Sequence, residues 1–294
     1  MTAVEDSDKS KPVTVQVNLS KMRRIGAKPS FPDYLVQLWG RRQFILYDAR
    51  ARVQSANDKD RLGSLWLIIN PILLGLTFYF IFGVLLETSR GIENFLGYLV
   101  IGIFSFQVSA QAVVQGSKSL SSNSSVIRAF NFPRASLPVA VNLRQLLASI
   151  PSTIVMLLII VLAPPVEEIS WRWFLIIPAI ALQHLFNLGV GMLLAPLVLK
   201  VHDVGNLLGF ATRLWMYSSA IFYSLDRFAA YPTLVAVLEL NPLFCVIDIL
   251  RDCLLYNTTP DLQTWGVLAL WAFGAIIAGF ALFWRQEESY GRAS

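Results

Sequence analysis

Six stretches of the chain are apolar almost without interruption, at about 65–86, 95–115, 137–163, 173–199, 205–225 and 262–284. A helix rises about 1.5 Å per residue, so roughly 20 apolar residues cross a hydrocarbon core about 30 Å thick. Hydrocarbon gives a bare backbone no hydrogen-bond partner, so each run is predicted to be a spanning helix. The two-residue alternation of a membrane barrel is absent. The predicted fold is an all-α integral membrane protein with six transmembrane helices.

The polar segments complete the plan. Residues 1–30 are rich in Lys, Ser, Asp and Pro and read as a disordered cytoplasmic tail. In residues 31–60, Leu35, Leu38, Trp39, Phe44, Ile45 and Leu46 interleave with Arg41, Arg42, Arg50 and Arg52. That pattern predicts an N-terminal amphipathic interface helix broken near Gly40, or a helix packed on another cytoplasmic domain. Residues 61–285 form the transmembrane domain and 286–294 a cytoplasmic tail.

Segment 226–261 is apolar, but Glu239, Asn241, Pro242, Asp248, Arg251 and Asp252 interrupt it. Proline disfavours helix at the residue before it, so two short helices should meet at Asn241-Pro242. They are predicted to re-enter the outer leaflet between spans five and six; the alternative is a soluble cap. Arg251 beside Asp248 and Asp252 predicts a structural ion pair.

Composition agrees with a membrane chain: 55% of residues are hydrophobic and 15% charged, and the mean hydropathy is +0.56. Charge orients it. Residues 1–64 hold twelve of the 24 Lys and Arg residues, and only Arg90, Arg172, Arg227 and Arg251 fall on the opposite side. The positive-inside rule then places both termini in the cytoplasm. The pI near 9.3 thus follows from topology and gives no reason to expect nucleic acid as a partner. The first 60 residues are polar, so the first apolar run is expected to serve as the insertion signal. Cys245 and Cys253 are eight residues apart, roughly 12 Å along a helix, too far for a disulfide.

Catalytic motifs are missing. No GK dipeptide occurs, so there is no Walker A loop; HExxH, CxxC and GxSxG are also absent. His184 and His202 belong to no His, Cys or carboxylate cluster, and no metal site is expected. The reading is of a chain that is not an enzyme.

Some span positions are polar enough to need a partner. Gln107, Gln111 and Gln115 recur every four residues on one face, near Ser105 and Ser109, as a pathway wall or an interhelix hydrogen-bonding stripe. Arg213, Phe210 and Tyr217 on run five, and Trp66, Asn70 and Tyr79 on run one, are further pathway-lining candidates. Aromatic rings there can stack on sugar faces or simply pack.

LGSLWLIINPIL (62–73), FNFPRASLP (130–138), SAIFYSL (219–225) and NPLFCVIDILRDCLL (241–255) occur in an order that resembles the ABC-2 type permeases. The likeness covers about residues 31–285, and the branch looks like the exporters of O-antigen, teichoic acid or cell-wall galactan. His202-Asp203 stands where the family often has Arg-Asp, and Ala220 where a proline is common.

The resemblance implies a transport subunit that dimerises with a second copy, each bound to a separate cytoplasmic ATPase. ATP and Mg would sit on that partner, leaving no cofactor in this chain. It implies a polyprenyl-pyrophosphate-linked polysaccharide as substrate, with Arg41, Arg42, Arg50 and Arg52 attracting its pyrophosphate or anionic membrane lipids. Spans one and five would line the channel. Asn241, Pro242 and Phe244 would belong to an outer gate. The loop after span two would carry the ATPase-coupling helix.

Within that loop, Ser121 and Asn123 offer caps, and Val126, Ile127 and Phe130 an apolar face. Arg128 is free for an acidic partner, and Phe132, Pro133 and Arg134 end the segment. The rivals are a small-lipid or drug permease of the same family and a membrane enzyme acting on lipid-linked sugars.

Overall fold

The computed structural model describes residues 30–55, 63–85, 92–130, 132–162, 165–201, 203–287 and 290, and all regular structure among them is helical. The predicted tail before Ser30, and His202, lie outside the described residues.

The amphipathic segment forms α1 (Phe31–Gly40) and α2 (Arg42–Ser55), broken where the sequence places the break. Ile45 and Ala49 of α2 are buried, and α2 lies along α6 of the same chain. Trp39, Phe44 and Tyr47 point outward and are exposed.

Four predicted spans are single helices long and apolar enough to cross a membrane. These are α4 (Phe95–Ser117), α6 (Ser136–Leu162), α7 (Ile176–Lys200, entered through a 3-10 turn from Trp171) and α11 (Leu262–Arg285). Side chains fix several starts. Asn94 Oδ1 accepts the Gly97 N–H at 2.8 Å, and Asp261 caps α11.

The other two runs differ from a plain span. Run one is α3 (Trp66–Phe78), with Pro71 inside it, continuing as a π-helix over Tyr79–Leu85. Run five is interrupted: α8 (Asp203–Tyr217) stops after 15 residues, about 22 Å of rise. The chain then turns through Ser218–Tyr223, with Ala220 at φ 48°, a left-handed conformation that ends a helix.

Between α8 and α11 lie α9 (Pro232–Glu239) and α10 (Pro242–Leu254), bent by 89° at Asn241. The pair counts as a fifth crossing only if it is one broken span. The short α5 (Ser124–Ala129) joins α4 to α6.

The packing centre is α7, which touches α4, α6, α10 and α11. It meets α11 backbone to backbone. A Cβ at Gly189 would lie 2.3 Å from the Ala275 carbonyl carbon, and one at Gly279 would lie 2.4 Å from the Gly189 oxygen. Small residues allow this approach where lipid supplies no hydrophobic drive. On the α4 side, Gln183 donates to the Ser105 carbonyl and to Ser109 Oγ, each at 2.8 Å. Gln183 thus ties α7 to α4 through the Ser105 main chain and the Ser109 side chain.

Almost all of α10 is buried, including Cys245 and Cys253, which are free thiols. Arg251 does not form the expected ion pair. Its guanidinium lies 3.2 Å from the Tyr98 ring centre and donates to the Ala220 (3.0 Å), Ile221 (3.2 Å) and Tyr98 (3.2 Å) carbonyls. Among the described residues the one ion pair is Arg52–Asp48, at 2.9 Å. The reason is that α10 turns Arg251 inward, onto carbonyls left open where α8 ends.

Candidate functional site

The predicted polar positions of runs one and two converge. Trp66 and Asn70 of α3 and Gln107 and Gln111 of α4 line one cavity of about 540 Å³, closed on its third side by α6. The spacing of four on α4 turns both glutamines to that side, while Ser105 and Ser109, on another face, bond α7. Gln115 leaves the stripe: it accepts a hydrogen bond from Arg144.

From α6 come Gln145, Ser149 and Ser152, which sequence reading missed. Their spacing of four and three is itself a helical stripe, hidden in a strongly apolar run. The cavity thus offers amides, hydroxyls and an indole, and no charged group. Such groups exchange hydrogen bonds with hydroxyl-rich solutes at little desolvation cost compared with an ion.

Tyr79 stands apart from this cavity, in the π-helical turn, and is exposed. So do Phe210, Arg213 and Tyr217 of α8, which has no buried residue. Trp215 packs on Phe106 and Phe186 at 6.4 and 6.2 Å, whereas Phe222 lies beyond the helix and meets Tyr217 at 6.0 Å.

In the loop after α4, Arg128 of α5 and Phe130 just beyond it are exposed, and Val126 in part. Ile127 is the correction: it is buried in a cluster with Leu120, Ala135 and Phe283, so the apolar face splits in two. The expected caps are also not made. Ser121 Oγ donates to the Lys118 carbonyl at 3.1 Å, and Asn123 Nδ2 to the Ser119 carbonyl at 2.8 Å. Both side chains tie the turn backward to α4 and leave the α5 N–H groups without them. Phe132 and Arg134 are half-buried and Pro133 is buried.

Of the four arginines, Arg41 and Arg50 are exposed. Arg42 covers the Trp39 ring at 5.3 Å, at an apolar hollow of about 570 Å³ between α1, α2 and α6. Arg52 is held by Asp48 and also reaches Asn123 at 3.5 Å.

At the opposite end, Asn241 is the hinge of the bent pair. Its Oδ1 caps Leu243 and accepts from Trp215 Nε1, both at 3.0 Å. Its Nδ2 donates to the Ser218 carbonyl (3.0 Å) and Ser219 Oγ (2.9 Å). Pro242 is buried beside it, and Phe244 lines a second cavity, about 580 Å³, with Tyr98, Glu239 and Asp248. No group of three or more His, Cys, Asp or Glu among the described residues could hold a metal ion.

The model of the ABC-2 type transporter family matches residues 47–255. This chain belongs to that family. The matched part of the ABC-2 domain runs from within α2 to the end of α10, so it includes the polar cavity, α5 and the bent pair.

Two curated relatives are O-antigen export system permease proteins RfbA of Klebsiella pneumoniae. One is 27% identical over 240 residues, 80% of this chain and 87% of the relative. The other is 27% identical over 224 residues, 75% and 83%. A third, of the same description, from Myxococcus xanthus, is 22% identical over 235 residues, 79% and 88%. As an ABC-2 membrane subunit with several long apolar helices, the chain is a multi-pass membrane protein.

Proposed function

We propose that this ABC-2 subunit exports a polysaccharide carried on a polyprenyl pyrophosphate across the bacterial inner membrane. A separate cytoplasmic ATPase drives it, two copies serving a permease dimer. The observation that carries the reading is the uncharged polar cavity between α3, α4 and α6, in a chain whose relatives bear the name of O-antigen permeases.

A sugar chain presents hydroxyls and apolar ring faces. Gln107, Gln111 and Asn70 match the first, and Trp66 the second. In the assembled transporter, α3 with its π-helical end and α8 with the turn after it complete six crossings. The α9–α10 pair re-enters the outer leaflet as the gate, and both chain termini stay cytoplasmic.

The exposed Arg128 of α5 and Phe130 just beyond it face the ATPase. Trp39 and Phe44 seat α1 and α2 in the inner interface. Arg41, Arg42 and Arg50 there attract the pyrophosphate or anionic head groups, while Arg52, held by Asp48, contributes less. ATP-driven closure of the ATPases displaces α5, and the polar wall is re-exposed to the opposite side.

Depletion of the chain in its native cell, followed by analysis of lipid-linked glycans, tests this. One polymer, a galactan or another, should accumulate on its carrier at the inner face. Unchanged lipid-linked glycans would sink the polysaccharide reading and favour a small-substrate ABC-2 permease.

A further inference from the structure

Three segments far apart in sequence meet below the inner end of α11. Tyr34 comes from α1, Arg134 and Ala135 from the link between α5 and α6, and Glu287 from just beyond α11. Both oxygens of the Glu287 carboxylate are used. Tyr34 Oη donates to one at 2.8 Å, and the Arg134 backbone N–H donates to the other at 3.0 Å. Tyr34 Oη in turn accepts the Ala135 N–H at 3.0 Å, and the Arg134 guanidinium donates to the Glu287 carbonyl.

The knot is out of water. Tyr34 is 1% exposed, Ala135 0% and Glu287 8%. Aromatic contacts close it: Tyr34 meets Phe280 edge-on at 5.8 Å, and Tyr290 lies on Phe283 at 4.9 Å.

An apolar plug would fill this site without the cost of burying a carboxylate. What a plug lacks is direction. The carboxylate fixes the link after α5 to two other elements at defined distances. Ile127 of α5 is buried in the same cluster, so α5 has a second attachment to it.

We propose that Glu287 is a positioning residue, pinning the α5–α6 link to α1 and α11 so that displacement of α5 is delivered to both. The proposal rests on the reading of α5 as the element that meets the ATPase. Without the pin, the ATPase would still dock and hydrolyse ATP, but its stroke would be lost in the link.

The test uses the full permease with its ATPase in lipid vesicles, supplied with lipid-linked glycan from the native cell. The variants are Glu287→Gln and Tyr34→Phe, the latter keeping the ring contacts. Expected are unchanged co-purification of the ATPase, a permease that is still folded at the assay temperature, and roughly tenfold less glycan moved per ATP hydrolysed. The double variant should be no worse than either single, because they share one bond.

Unchanged glycan per ATP would overturn the proposal, and so would a loss that only tracks the amount of folded protein. A distance measurement between labels at Ser125→Cys and Ala281→Cys needs no glycan. That distance should hold on nucleotide addition in the otherwise unaltered chain and change in Glu287→Gln. Equal behaviour in both overturns the pin, even if the substrate reading has failed on its own account.

Discussion

Replacing Asn241 with alanine should loosen the bend between α9 and α10 and the end of α8 together. Four hydrogen bonds converge on this side chain, at 2.9 to 3.0 Å. Loss of the cap on Leu243 costs about 1 kcal/mol. Trp215 Nε1 and the Ser218 carbonyl lose a partner in a half-buried place, at about 1 kcal/mol each. Ser219 Oγ still donates to the Trp215 carbonyl at 2.6 Å and adds little. The sum is about 3 kcal/mol. Denaturant unfolding of the purified permease in micelles, followed by circular dichroism, would measure it. Trp215→Phe removes one of the four bonds, and its cycle with Asn241→Ala should show a coupling of about 1 kcal/mol. A loss below about 0.5 kcal/mol for Asn241→Ala, or an additive cycle, would refute the hinge.

Other outcomes follow from single positions. Ala220→Gly should raise the melting temperature slightly, because φ 48° strains a side chain, while Ala220→Pro should lower it sharply, since proline holds φ near −65°. Gly189→Ala should cost more than about 2 kcal/mol in the same unfolding assay, as its methyl would meet the Ala275 backbone at 2.3 Å. Burial raises the Glu287 carboxyl above its ordinary value, against the Arg134 N–H bond that lowers it, and also raises the Tyr34 phenol. The folded state thus favours protonated Glu287. Its contribution is complete below the ordinary carboxyl range and is lost as pH rises through the raised value. Melting temperatures across that window should fall in the native chain and stay flatter in Glu287→Gln. Arg128→Glu should abolish ATPase co-purification while leaving the melting temperature alone; normal co-purification would remove α5 from the interface.

Continuous apolar runs made α4, α6, α7 and α11 readable, since length and hydropathy alone decide such helices. The Asn241 break was equally local, because proline acts on its immediate neighbour. The end of α8 was not local. It depends on Arg251 and Asn241, more than twenty residues downstream, which satisfy the turn at Ser218–Ile221. Half of the polar cavity was legible from the glutamine spacing on α4. The other half, on α6, disappeared into a mean hydropathy that averages three polar positions away. Ile127 and Glu287 were beyond reach for a different reason. Which way a six-residue helix faces, and what a carboxylate finds 253 residues away, are set by tertiary packing alone.

The glycine contact between α7 and α11 makes the two helices one rigid body. Two rods whose backbones touch have no lubricating layer of side chains between them, so neither can slide or roll without lifting off the other. On the proposed reading, a stroke that reaches α11 must therefore carry α7 with it, while α3 and α8 are the more loosely held rods. On that reading the joined pair works as a single lever arm, and α3 and α8 are the parts that yield as it turns.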